Sequence, residues 1–266
     1  MVCDVQASVR APAVAGSFYP ASPEVLARTV DGLLAAAGAP GNPCPKALIV
    51  PHAGLIYSGP IAAAGFARVA AHGPRFERIV LLGPAHRVAI DGIAAPGCAR
   101  LATPLGDVEV DLSALARVPQ VATSAAAHAR EHCLEVELPF LQRIAPRAKI
   151  VPLVAGRARP DLVAGVLDAL WGGPETLIVI SSDLSHYLPY ATGLAFDEAT
   201  AAQILAGDAT LRSEQACGAV GINGLLHVMR RRGLGIDRID LRSSGDTAGG
   251  RDEVVGYGAF ALYEVP

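Results

Sequence analysis

Four short runs constrain this chain more than any other feature: Ala47-Leu48-Ile49-Val50, Ile79-Val80-Leu81-Leu82, Ile150-Val151-Pro152-Leu153-Val154 and Leu177-Ile178-Val179-Ile180. Each is continuously apolar, of strand length and bounded by turn residues, which is the pattern of a strand buried on both faces. Segments with helical apolar spacing lie between them. Strands alternating with helices predict an α/β fold, a single domain with a mostly parallel central sheet flanked by helices. The chain has 266 residues, 52% of them hydrophobic, enough for one large core.

The helices are expected from Pro23 to Ala37, with Ser22 as the cap, from about Ile61 to Ala71, and over Ala125 to Ile144 with an interruption near Pro139. Further helices are expected over 161–171, 195–206 and 214–232. The last of these ends in Arg230-Arg231-Arg232 before Gly233, cations and a glycine where a helix C-terminus favours both. Short β-like pieces fill 88–112, and a terminal pair of strands covers 236–242 and 253–264.

The loops after the strands carry the chemistry. The first run leads into Pro51-His52-Ala53-Gly54 and the second into Gly83-Pro84-Ala85-His86. The run ending at Ile180 leads into Ser181-Ser182-Asp183-Leu184-Ser185-His186, and Ile239-Asp240-Leu241-Arg242 leads into Ser243-Ser244-Gly245-Asp246. In open α/β sheets ligands bind beyond the carboxyl ends of the strands, so His52, His86, His186 and Asp246 are expected on one rim. Imidazole suits iron, copper and zinc, and two histidines with one carboxylate form the ligand set of non-haem iron(II) centres. His52, His86 and Asp246 supply such a set. Taken singly, each histidine reads equally well as a loop imidazole bonded to a backbone carbonyl; their joint placement carries the metal reading.

Asp183 and His186 form a candidate acid/base pair, the carboxylate orienting the imidazole. The structural alternative is that Ser182 or Asp183 caps a following helix. On the expected helix His128, His132 and Glu135 share a face, which places His132 and Glu135 as partners behind the metal ligands. A face that also bears Arg130, Glu131 and Glu137 is more often solvated surface. His72 and His227 read as structural.

Other chemistries find no support. A net charge of -3 without long Lys/Arg runs leaves no footprint for nucleic acid. There is neither a basic leader nor an apolar stretch of about 18 residues, so a cytoplasmic protein with no membrane partner is expected. The five cysteines are scattered without a CxxC pair, as expected of reduced thiols rather than a thiolate zinc site. No serine nucleophile elbow, Walker loop or dinucleotide glycine fingerprint occurs, and a cysteine nucleophile would need tertiary proximity to a histidine.

The motifs, in order, resemble those of the Memo family, whose bacterial and archaeal members are also called AmmeMemoRadiSam system protein B. The similarity spans almost the whole chain: Arg10 to Pro20, Pro51-His52-Ala53-Gly54-Leu55-Ile56-Tyr57-Ser58-Gly59, Gly83-Pro84-Ala85-His86, Glu131-His132-Cys133-Leu134-Glu135, Ser181 to His186, Cys217-Gly218 and Ser243 to Asp246. The resemblance implies a fold like the class III extradiol dioxygenases, metal-site histidines at His52 and His86, a third ligand at Asp246 and a catalytic-type histidine at His186. Animal members carry cysteine at the third position, and the carboxylate here favours iron(II) over copper(I), with copper or zinc as alternatives. Arg87 stands where the animal motif has a further histidine. The family name implies an AMMECR-type protein and a radical SAM enzyme as partners, in a pathway of redox modification. The competing implication is a binding module for peptides or partner proteins, because one fold hosts many functions.

Overall fold

The computed structural model describes residues 8–38 and 43–264. Its first half runs β1 (Val9–Arg10), α1 (Pro23–Ala36), β2 (Ala47–Val50), α2 (Leu55–Ala70), β3 (Arg78–Pro84), β4 (Ile93–Ala95), β5 (Arg100–Thr103), β6 (Gly106–Glu109), α3 (Leu112–Leu115), β7 (Ala122–Thr123), α4 (Ala125–Ala129) and α5 (Leu138–Ile144). The second half runs β8 (Lys149–Ala155), α6 (Pro160–Leu170), β9 (Thr176–Ser181), β10 (His186–Leu188), α7 (Tyr190–Leu205), α8 (Ala219–Arg232), β11 (Gly235–Ser243) and β12 (Val254–Tyr263).

The four apolar runs form the parallel centre of the main sheet, in the order β2-β9-β3-β8. Antiparallel strands flank them. β12 pairs with β2 on one side, carrying β11 on its far edge and β10 at its start, and β4 pairs with β8 on the other. The sheet is therefore mixed at its margins and parallel where the helical crossovers lie. A second, small sheet joins β1, β5 and β6.

Side chains alternate across a strand, and here both faces are buried. Leu48, Val50, Ile79, Leu81, Leu177 and Val179 pack with Leu26 of α1, Phe66 of α2 and Phe140 of α5. Ile49, Val80, Leu82, Ile178 and Ile180 pack with Val163 of α6, Ile204 of α7 and Ile222 of α8. Runs without polar positions are thus required by helices on both sides.

Two helices depart from expectation, each for a tertiary reason. α2 begins at Leu55, six residues before the expected start, because the Leu55 N–H donates to Phe18 O at 2.8 Å and fixes the first turn before Pro60 is reached. The expected helix over 125–144 is two helices, α4 and α5, separated by a loop and a 3-10 turn over Glu135–Glu137. Pro139 lies in the first turn of α5, where a missing N–H costs nothing, so it starts a helix rather than kinking one. His128, His132 and Glu135 consequently share no helix face. Elsewhere the endings are as expected: the Ser22 side chain accepts from Val25 N–H, and Gly233 closes α8 with φ 67°.

His128 is buried at 3% exposure, with Nε2 2.9 Å from Ala94 O. Burial pushes its pKa down from 6.5 to about 4, so between those values the unfolded chain takes up a proton that the native state refuses. Stability is expected to be level in this respect above pH 6.5 and to fall as pH drops towards 4, by about 3 kcal/mol in full. Urea denaturation of His128→Leu across that interval should show a shallower slope than the parent.

Candidate functional site

Parallel strands deliver their following loops to one edge of the sheet. After β2, Ser182 N–H donates to Val50 O, and Asp183 Oδ1 accepts from the His52 N–H at 2.8 Å, so the loops after β2 and β9 are joined. His52 is 1% exposed. Its Nδ1 lies 2.6 Å from Ser181 Oγ, while its Nε2 lies 3.4 Å from Cys217 Sγ and 4.0 Å from Asp183 Oδ2.

His86 lies just beyond β3. Glycine at position 83 is needed here, since a Cβ would stand 2.6 Å from Cys133 Sγ. The His86 N–H donates to Glu131 Oε2 at 2.6 Å, and its Nδ1 lies 2.9 Å from Glu131 Oε1. Glu131 also accepts from the backbone N–H groups of His132 and Cys133, at 2.9 and 3.3 Å. The Nδ1 of His132 approaches the same carboxylate at 3.2 Å but out of hydrogen-bonding alignment, which leaves a buried nitrogen without a partner.

The three imidazoles meet. Ring centroids are 5.3 Å apart for His52 and His86, 5.4 Å for His52 and His132, and 4.8 Å for His86 and His132. Donor atoms of all three lie within 4.8 Å of one another, so the chain brings together a cluster capable of holding a metal ion. Burial, reinforced by the neighbouring histidines His132 and His86, holds the His52 pKa well below 6.5, so the ring is neutral and able to donate a lone pair. Burial raises the carboxyl of Glu131, but its contacts with His132 and His86 outweigh it and keep the group ionised. Asp183 is raised by burial, an effect the His52 N–H only partly offsets.

The other expected residues lie outside this cluster. Asp246 is exposed, in a 3-10 turn. Its Oδ2 accepts from Ser243 N–H and Oγ at 2.8 and 3.0 Å, and its Oδ1 accepts from Tyr190 O–H at 2.6 Å. It is not part of the donor cluster. His186 opens β10, near enough for its charge to act on Asp183 and His52, but Asp183 commits an oxygen to the His52 N–H instead. Tyr187 beside it holds φ 58°, the one non-glycine residue with positive φ among those described. Arg87 is exposed.

Glu135 faces away from the histidines. It accepts from Arg10 Nη1 at 2.5 Å, from the N–H groups of Ala13 and Val14, and from Tyr19 O–H at 2.5 Å. That grip seats the N-terminal segment, whose Phe18 ring lies 4.8 Å from His132 and walls the cluster. The expected solvated face is in fact interior: Glu131, Glu135 and Glu137 are 2%, 1% and 0% exposed. Sequence reasoning missed Glu131 as the anchor of two histidines because a continuous helix would have turned it outward. It also missed the meeting of Cys217 with His52: Cys217-Gly218 stands among the family-like motifs, but no spacing pairs it with a histidine. Beside His86 and Cys217 opens a largely apolar groove of about 520 Å³, whose walls include Pro84, Ile90, Arg157 and Val220.

These features define a mixed α/β protein carrying a histidine cluster beyond the carboxyl ends of its central strands. A family profile described as Memo-like protein matches residues 10–261, and the chain belongs to the Memo family. It is similar to a MEMO1 family protein of Pyrobaculum arsenaticum, 34% identical with 96% of this chain and 99% of that protein covered. Similar proteins of Aquifex aeolicus, at 35% identity, and Archaeoglobus fulgidus, at 33%, each cover 94% of this chain and 97% of their own length.

Removing the Glu131 carboxylate unpairs the part-buried N–H groups of His86 and His132 and strands the buried N–H of Cys133, the last worth about 1–3 kcal/mol when left unpaired and the others less. Glu131→Ala should therefore lose roughly 3 kcal/mol in urea denaturation, with the 83–90 and 131–133 segments the first to become protease-sensitive.

Proposed function

We propose that this chain is a metalloprotein whose ion is held by His52, His86 and His132, and that it performs metal-dependent redox or oxygen chemistry on a substrate seated in the adjoining groove. The observation that carries the reading is the convergence of three imidazoles, from three separate loops, within 4.8 Å. The donor set fits a metal. Nδ1 of His52 faces Ser181 and Nδ1 of His86 faces Glu131, which leaves Nε2 of each ring available, and the carboxylate behind His86 orients its ring. His132 takes the place considered for Asp246, whose carboxylate is already used by Ser243 and Tyr190.

Three imidazoles suit iron, copper and zinc alike. Iron(II) is taken as the ion in this reading, with copper or zinc as alternatives. Iron(II) bound here supplies redox chemistry and, with few protein ligands, open positions for small reactants. The chain's own residues bind and orient. Pro84, Ile90 and Val220 exclude water from one side of the groove, Phe18 covers His132 on another, and His186 stands at the rim as the group that accepts or returns a substrate proton, as in class III extradiol dioxygenase chemistry. No helix among the described residues is long and apolar enough to cross a membrane.

A partner-binding reading is favoured by two large exposed side chains close in sequence to site residues, Ile56 at 67% exposure following the His52 loop and Tyr187 at 70% next to His186. An AMMECR-type or radical SAM protein would dock on those two side chains. A pull-down with those proteins that is abolished by Ile56→Asp but kept by His52→Ala would support it.

Anaerobic purification followed by elemental analysis tests the metal reading. About one equivalent of metal is expected in the parent, lost in His52→Ala, His86→Ala and His132→Ala and kept in Asp246→Ala. Metal-free parent protein that also fails to take up iron(II), copper(II) or zinc(II) would refute it, and loss in Asp246→Ala alone would restore that carboxylate as the third donor.

A further inference from the structure

Glu137 has no part in the chemistry above, yet its carboxyl group is completely buried and one of its oxygens, Oε2, has no hydrogen-bond partner. A group so costly to bury calls for a reason. Its other oxygen, Oε1, lies 2.9 Å from Ser181 Oγ, and the Cys133 carbonyl lies 2.8 Å from the same hydroxyl. Ser181 is itself fully buried at the end of β9, and its Oγ stands 2.6 Å from His52 Nδ1.

A serine hydroxyl has one proton to give and two lone pairs to receive with. The Cys133 carbonyl can only accept and claims that proton, while Glu137 Oε1, on a carboxyl that burial pushes well above the usual carboxylate range, bonds the same hydroxyl. Neither can be replaced by water, because all three groups are buried. The hydroxyl can therefore meet His52 only as an acceptor, so Nδ1 must carry the hydrogen of the neutral ring. The remaining lone pair is then on Nε2, the nitrogen that faces Cys217 and Asp183 and looks toward the cluster.

We propose that Ser181, its proton held by the Cys133 carbonyl, is a positioning residue that fixes His52 as the Nδ1–H tautomer and so presents Nε2 as a metal donor. The inference rests on the metal reading for its use but not for its test. It also explains why the loop carrying His132 and the strand end facing His52 are tied together: Cys133, next to one cluster histidine, accepts the hydrogen that orients another.

The test uses the full chain labelled with ¹⁵N at histidine, first metal-free. Long-range ¹⁵N–¹H correlation spectra of the parent should show His52 as a single Nδ1–H tautomer, and zinc(II) titration against a chelator gives the parent's Kd. Ser181→Ala should show mixed or Nε2–H character and a Kd weakened about 10- to 100-fold. Glu137→Gln keeps a hydrogen-bonding group at the same place and should preserve both the tautomer and, within about threefold, the Kd. An Nε2–H ring in the parent overturns the proposal whether or not Ser181→Ala folds. Retention of the parent tautomer and Kd in Ser181→Ala overturns it as well. Should the parent bind no metal, the proposed function fails while the tautomer measurement still decides this inference.

Discussion

The site depends on one buried anion. Glu131 is withdrawn from water at 2% exposure and so must find its hydrogen bonds within the protein. It finds them in the backbone and ring of His86 and in the backbone of His132 and Cys133. Glu131 and His86 belong to loops 45 positions apart in the chain. A carboxylate satisfied in this way cannot let go of one loop without exposing an unpaired charge to an apolar interior, which is why two imidazoles are held at a fixed separation before any ligand arrives. The neutral ring of His52 and the ionised anchor are complementary: a metal donor stays unprotonated, while the negative charge needed to balance a cation is already in place.

Around this anchor the fold spends its polar groups sparingly and in pairs. Glu135 performs for the N-terminal segment what Glu131 performs for the histidine loops, collecting Arg10, Tyr19 and two backbone N–H groups at 1% exposure. Phe18 is carried into position as a result. Asp183 ties the loop after β2 to the loop after β9. Three carboxylates thus each join segments distant in sequence. The site lies on the layer of α2 and α5, while the groove is shaped by α8 from the opposite layer, so the histidine cluster sits where the two layers meet at the sheet edge.

Much of this was legible. The parallel centre could be read from continuous apolar runs, because only a strand covered on both faces needs no polar alternation. His52 and His86 could be placed on one rim because a parallel sheet sends every following loop to the same edge. The segment 125–144 was not legible in the same way. Its composition suits a helix, and helical spacing put Glu131, Glu135 and Glu137 on a face that looked solvated. What overrides that local preference is the demand of donors between Arg10 and His86 for acceptors, which Glu131 and Glu135 supply. Asp246 shows the converse. Its position after a strand is as expected, but the Ser243 and Tyr190 donors next to it claim its oxygens first.

The amino-acid sequence by itself determined the element order, the two-sided burial of the central strands and the delivery of His52, His86 and the Asp183 loop to one edge, since these come from periodicity and from the handed connection of parallel strands. Only the tertiary structure decided that His132 rather than Asp246 meets the other two rings, that Glu131 holds them and that Ser181 faces His52. The physical reason is that hydrogen-bond partners of a buried charge are chosen by proximity after the chain has packed, and no spacing along the chain encodes which oxygen an N–H will find there.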